Sequence, residues 1–158
     1  MFLNELVKEI SQGLLERQLK VAAAESCTGG GVAYWLTSLS GSSDWFERGF
    51  VTYSNAAKEE MLGVRSATLK TFGAVSEETA REMAAGALKN SAAQCSVAIT
   101  GIAGPLGGSA EKPVGTVWFA WGFPTETILA ERRLFSGDRG EIREQAIRVA
   151  LEGLRSFP

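Results

Sequence analysis

The sequence predicts an α/β protein, a three-layer α/β/α sandwich around a mixed central sheet. Three observations predict it. Amphipathic helical stretches alternate with short apolar, β-type runs through most of the chain. Two of those runs break directly into glycine-rich turns, as strands do where an open α/β sheet meets its ligand crevice. The chain then ends in two long β-type runs joined at Pro124-Thr125 and a last amphipathic helix, which adds an antiparallel hairpin.

In order, residues 2–18 place Leu3, Leu6, Val7, Ile10 and Leu14 at helical spacing, with Asn4, Lys8, Glu9 and Gln12 between them. Val21-Ala22-Ala23-Ala24 reads as a buried strand. A helix from about Gly29 carries Val32, Tyr34, Trp35, Leu36 and Leu39; it is apolar over much of its surface and is expected to be well buried. Ser40-Gly41-Ser42-Ser43 ends it, and Asp44-Trp45-Phe46 begins a short ordered segment. Gly49 to Tyr53 has β-branched and aromatic character and reads as a strand. Ser54 or Asn55 then caps a short helix with Lys58 in its first turn, and 66–72 forms a second short helix. Ser76 caps the next helix, where Glu77 and Glu78 suit the positive end of the helix dipole; Ala80, Met83, Ala84, Ala87 and Leu88 give it a small-residue face. Ser96 to Thr100 reads as another central strand. Val114 to Gly122 and Thr127 to Phe135 make the hairpin. The last helix runs from about Arg139 to Leu154, with Ile142, Ala146, Ile147, Val149, Ala150 and Leu154 toward the core.

A chain of 158 residues predicts one domain, 1–158, large enough to bury a core without disulfide or metal staples. The net charge is −2 and the charges are scattered, so no basic stripe points to nucleic acid and no basic amphipathic stretch to a membrane surface. The apolar runs are too short to span a bilayer, no signal-peptide pattern opens the chain, and Cys27 and Cys95 fit reduced thiols, so a cytoplasmic location is expected. There is no histidine. That removes a Ser-His-Asp or Cys-His mechanism within one chain and every His-ligated metal site. Any nucleophile must be activated by Lys, Tyr, a carboxylate or an oxygen-ligated metal, for which Glu25 or Asp138 would be the carboxylates.

The stretch that organises the rest is Ala24-Glu25-Ser26-Cys27-Thr28-Gly29-Gly30-Gly31. Ser26 sits where a side chain projects from the end of a strand, and the glycines let backbone N–H groups approach an anion. These are the parts of a nucleophile and an oxyanion hole. The plainer alternative is that Ser26 or Thr28 caps a helix and the glycines turn the chain. Tyr53 at a strand end and Lys58 in the following turn can face the same cleft. The loop from Gly101 to Ser109, following Thr100, holds N–H groups that could cradle a phosphate or carboxylate. Arg139 and Arg143 lie four apart on one face of the last helix, where a bound anion would offset their opposition to the helix dipole.

Ala24 to Gly30, Thr52-Tyr53-Ser54-Asn55-Ala56-Ala57-Lys58, Gly73-Ala74-Val75-Ser76, Gly101-Ile102-Ala103-Gly104-Pro105 and Lys112 to Val117 occur in this order. Together they resemble the CinA C-terminal domain family, and more narrowly its stand-alone nicotinamide-nucleotide amidases. The resemblance spans nearly the whole chain, and no motif residue departs from it. It implies hydrolysis of the carboxamide of nicotinamide mononucleotide, a small-molecule partner; the lack of His and of paired Cys ligands gives the further expectation of no metal or cofactor. In the implied roles Ser26 attacks, Lys58 takes the proton, and Tyr53 relays it or orients Lys58. N–H groups of Cys27, Thr28, Gly29 and Gly30 hold the oxyanion. Thr100, Gly101, Arg139 and Arg143 are the remaining substrate contacts, the arginines as candidates for the phosphate. Two other readings stay open: a non-catalytic nucleotide-binding or competence-associated module, and a thiol enzyme using Cys27. A homo-oligomer is also left open.

Overall fold

A computed structural model describes residues 1–156. Its centre is a five-stranded sheet in the order β2-β1-β3-β4-β5. The strands are β1 Val21–Glu25, β2 Phe46–Val51, β3 Cys95–Gly101, β4 Thr116–Gly122 and β5 Ile128–Leu134. β1 runs parallel to both β2 and β3, whereas β3–β4 and β4–β5 are antiparallel, so the sheet is mixed. Helices α1 Leu3–Glu16, α2 Gly31–Leu36 and α6 Arg139–Arg155 cover one face; α3 Asn55–Leu62, α4 Ser66–Phe72 and α5 Glu77–Lys89 cover the other. This is the α/β/α sandwich that the sequence predicts. Among the described residues no helix is long and apolar enough to cross a membrane.

The pleat sorts side chains between two cores of different grain. Val21, Ala23, Val97, Ile99, Val117, Phe119 and Trp121 point toward α1, α2 and α6. Ala22, Ala24, Ala98 and Ala120 point the other way, and this smooth alanine floor lets α5 lie close with Ala80, Met83, Ala84 and Ala87. Gly86 of α5 in turn lets the end of α3 approach: a Cβ there would stand 1.9 Å from the Leu62 carbonyl oxygen. α3 is held down by this contact and by its buried Leu62, and at its start the Ser54 side chain accepts from the Ala57 N–H at 3.0 Å.

Two local expectations differ from the structure. β2 starts at Phe46 and ends at Val51, leaving Tyr53 beyond the strand. Its polar Glu47-Arg48 pair hides the strand period because β2 is an edge strand, with the register irregular between Val21 and Ala22. The α2 helix is shorter and less buried than its apolar sequence suggests: Val32 and Leu36 are buried, but Tyr34 is 68% exposed.

Gly86 and Gly13 make opposite predictions for the same substitution. Gly86→Ala should lower stability by about 1–3 kcal/mol through overpacking. Gly13, inside α1 with nothing within 4 Å of an added Cβ, should give about 0.5–1 kcal/mol of added stability as Gly13→Ala. Urea midpoints of the two variants check both signs, and a neutral Gly86→Ala would refute the tight α3–α5 seat.

Candidate active site

The parallel strands β2, β1 and β3 end together, and the chain beyond them keeps their register. Glu25 pairs with Val51 on one side and Ile99 on the other. One residue further, Ser26 N–H donates to Ile99 O at 3.0 Å and Thr52 N–H donates to Glu25 O at 2.8 Å. Ser26 therefore stands between Thr52 and Thr100 at the carboxyl edge of the sheet, where open α/β sheets bind ligands.

The pleat gives Glu25 and Ser26 opposite faces. The buried Glu25 carboxylate accepts from Thr28 Oγ1 at 2.6 Å and from the Val32 and Ala33 N–H groups at 2.9 Å. It thus satisfies the start of α2 and fixes the turn, a role the sequence reading did not assign. Gly29 and Gly30 at φ 58° and 104° supply the left-handed turn that leads into α2. Asp138 is likewise committed to α6, accepting from the Glu141 N–H at 2.9 Å in a reciprocal cap. Among the described residues no cluster of three or more His, Cys, Asp or Glu side chains could hold a metal ion.

On the other face, Ser26 meets Lys58. Lys58 Nζ lies 3.1 Å from Ser26 Oγ, 2.7 Å from Thr52 O and 3.1 Å from Tyr53 O. Lys58 is 1% exposed and Ser26 7%. Burial lowers the Lys58 pKa from 10.5 to about 8. A neutral amine has two N–H donors and one lone pair. As an ammonium Lys58 donates to all three oxygens, Ser26 Oγ included; once neutral, its two donors stay with the carbonyls and its lone pair is left for the Ser26 hydroxyl proton. That is the geometry of a nucleophile with its base.

The other expected site residues fall into distinct places. Tyr53 touches Lys58 through its backbone carbonyl, while the hydroxyl of its exposed ring accepts from Arg139 Nη2 at 3.3 Å. The expected proton relay through the phenol is thus not the arrangement found. The strand ends before Tyr53, and its side chain swings outward. Arg139 also donates to Gly104 O at 2.9 Å, and so ties α6 to the glycine-rich loop. Arg143, expected at a phosphate, instead donates to Cys27 O at 3.0 Å and approaches Thr28 O at 3.5 Å. Thr100 Oγ1 donates to Ala74 O at 2.8 Å, and Gly101 ends β3 beside it. Ala103, Pro105, Val114, Gly137, Asp138, Arg139 and Gly140 line an open groove of about 670 Å³ next to this edge. Thr52 was overlooked as a site residue. Its carbonyl holds Lys58, and its fully buried Oγ1 has no hydrogen-bond partner among the described residues. Its signal was its place in the Thr52–Lys58 motif.

The model of the CinA C-terminal domain matches residues 3–157. The chain belongs to the CinA C-terminal domain family. It is 55% identical over 152 residues, 96% of this chain and 92% of the relative, to the nicotinamide-nucleotide amidohydrolase PncC of Escherichia coli. It is 47% identical to the protein of the same name from Pseudomonas putida, covering 96% of this chain and 94% of that one. The crystal structure of the competence/damage inducible protein CihA from Agrobacterium tumefaciens superposes with a TM-score of 0.94 at 50% identity, covering 98% and 94% of the two chains.

Burial argues against the thiol alternative. Cys27 is buried and its pKa is pushed up to about 12, chiefly by desolvation; Cys95 is pushed up to about 11 for the same reason. Thiolate is the reactive form. Both cysteines should resist iodoacetamide in the native protein at mildly alkaline pH and react fully once it is denatured. Rapid native labelling of Cys27, read by mass spectrometry, would reopen the thiol mechanism.

Proposed function

We propose that the chain is a nicotinamide-nucleotide amidohydrolase, a single catalytic domain that converts nicotinamide mononucleotide to nicotinate mononucleotide and ammonia. The observation that carries the chemistry is Lys58 Nζ at 3.1 Å from Ser26 Oγ, with its two other directions taken by carbonyls. The relatives' names support the substrate.

In this mechanism Ser26 Oγ attacks the carboxamide carbon as its proton passes to Lys58 Nζ. The carbonyl oxygen becomes an oxyanion, facing the N–H groups at the start of the Cys27–Gly30 turn. When the intermediate collapses, the C–N bond breaks and Lys58 returns its proton to the departing nitrogen, which leaves as ammonia. Water then attacks the Ser26 ester, giving its proton to Lys58, and the carboxylate leaves with Ser26 restored. No step needs a metal or cofactor. The groove bordered by the glycine-rich loop and the start of α6 suits the ribose phosphate, and Arg139 is the cation that lines it.

Ammonia release from the mononucleotide tests the reading directly. Ser26→Ala should abolish it in a folded protein, and Lys58→Ala should lower kcat by about 10²–10⁴-fold, the range for loss of a general base. Near-normal turnover in Ser26→Ala sinks the nucleophile assignment. A folded, pure wild-type protein that releases no ammonia favours the binding-module reading.

The pH dependence follows from Lys58. The free base is the active form, and the amine titrates at about 8. kcat/KM should therefore climb with pH through about 8 and level off above it. Stability carries the same sign. Between the lowered folded pKa and the ordinary unfolded one, the unfolded chain binds more protons, so Lys58 makes stability rise with pH across that window. Lys58→Met should accordingly raise Tm near neutral pH, with the gain shrinking as pH rises from about 8 to about 10.5. An activity that declines from about pH 7 to 9 contradicts a neutral amine as base.

A further inference from the structure

We propose that Arg143 is a positioning residue for the Ser26 turn, which it clamps by two carbonyl oxygens so that the Thr28 N–H faces the forming oxyanion. The inference rests on the amidohydrolase reading for its substrate and on the backbone geometry for everything else.

The turn's donors and acceptors can be counted through. Gly29 N–H donates to Ser26 O and Gly31 N–H to Thr28 O, each at 3.0 Å. The Val32 and Ala33 N–H groups go to the Glu25 carboxylate. That leaves the N–H groups of Cys27, Thr28 and Gly30, which donate to no oxygen among the described residues; Gly30 is half-exposed, whereas Cys27 and Thr28 are buried. Buried backbone donors are almost always paired, so two such groups directly after a nucleophilic serine point to a ligand.

Arg143 determines where one of them points. Its Nε donates to Cys27 O at 3.0 Å. The peptide joining Cys27 to Thr28 is trans, so the carbonyl of Cys27 and the N–H of Thr28 lie in one rigid plane and point in opposite directions. Fixing the carbonyl toward α6 turns the N–H away from α6. α6 packs on the face that holds Cys27, while Lys58 and its contact with Ser26 Oγ lie on the opposite face. The clamp thus directs the Thr28 N–H toward the side of the sheet where Ser26 reacts. Nη2, 3.5 Å from Thr28 O, reaches toward the next peptide, and the Thr28 hydroxyl is tied to Glu25 at 2.6 Å. The turn is gripped from the α6 face by an arginine and from within by a carboxylate.

This separates two roles for Arg143 that kinetics can tell apart. A phosphate ligand acts in ground state and transition state alike, so its loss raises KM. A residue that aims an oxyanion donor acts on kcat, and loss of one such donor costs about 10²–10³-fold. The experiment measures ammonia release by wild type, Arg143→Met and Arg143→Lys from nicotinamide mononucleotide and its dephosphorylated riboside. It also measures, by mass spectrometry, the rate at which methanesulfonyl fluoride modifies Ser26. That reagent needs no nucleotide: Ser26 Oγ bonds to sulfur, fluoride leaves, Lys58 takes the proton, and a sulfonyl oxygen occupies the oxyanion position. Arg143→Met should lose about 10²-fold in kcat on both substrates with KM nearly unchanged, and should sulfonylate more slowly by a similar factor. Arg143→Lys should recover part of each loss, since an ammonium reaches one carbonyl where the guanidinium fork reaches two. Should Arg143→Met fail to fold, Arg143→Lys alone carries the test through an intermediate sulfonylation rate. Wild-type sulfonylation by the folded variants overturns the proposal, as does a KM rise confined to the phosphorylated substrate. A wild-type Ser26 that resists the reagent also overturns it. A wild-type protein that is sulfonylated at Ser26 yet releases no ammonia sinks the substrate reading and leaves the clamp to be decided by the sulfonylation rates.

Discussion

The arrangement at the carboxyl edge of the sheet depends on one buried amine. Lys58 is taken almost entirely out of water and given two backbone carbonyls, a hydroxyl and no carboxylate. Burial without a counter-charge disfavours the ammonium, which is what moves its pKa to about 8. A carboxylate within reach would do the opposite and leave a lysine permanently charged. The molecule does hold a buried carboxylate one residue from the nucleophile, but the pleat sends Glu25 through the sheet to the opposite face, where three donors occupy its oxygens. A single step along β1 thus separates the group that builds the turn from the group that reacts.

The arrangement also explains why the two faces of the sheet are packed so differently. On the α3–α5 face the alanine floor and Gly86 bring α3 down until Lys58 reaches the end of β1. Bulkier side chains there would lift the amine off Ser26. On the other face, larger residues set α6 at the distance from which a long arginine side chain can reach the turn. The proposed base and the proposed clamp come from helices on opposite sides, and they meet only because Ser26 sits at the edge where the sheet stops separating them.

Much of this was legible in the sequence. The strands and helices announce themselves by period and by caps such as Ser54, Ser76 and Asp138, because those signals are local and each is satisfied within a few residues. Ser26 and Lys58 were legible for a similar reason: one ends an apolar strand before glycines, the other follows a cap by one turn. What stayed hidden depends on side chains crossing from one element to another. Nothing near Tyr53 says that its hydroxyl will turn to Arg139, 86 residues on. Nothing near Arg143 says that carbonyl oxygens 115 and 116 residues earlier will take its donors. Thr52 was hidden differently, since the group that matters most there is a carbonyl, which every residue has. β2 escaped at its start because an edge strand can carry Glu47 and Arg48 without cost.

The absence of histidine then has a physical counterpart. A histidine base is planar and needs a third side chain to fix its tautomer and orientation. An amine has no tautomer, and two carbonyls at the end of β2 are enough to aim its lone pair, so the backbone supplies what a third residue would. The difference appears in the transition state of the proposed reaction. Ground-state serine and neutral lysine carry no charge, whereas proton transfer creates an ammonium and an oxyanion together, in a site where charges interact far more strongly than in water. Each stabilises the other only if the oxyanion forms where donors already point and the ammonium forms where carbonyls already accept. The carbonyls of Thr52 and Tyr53 meet the second condition in the resting structure. The first falls to the peptide after Ser26, and a rigid peptide can be aimed from its other end. In the proposed mechanism, therefore, an arginine with no contact to the reacting atoms belongs to the same device as the lysine that touches them.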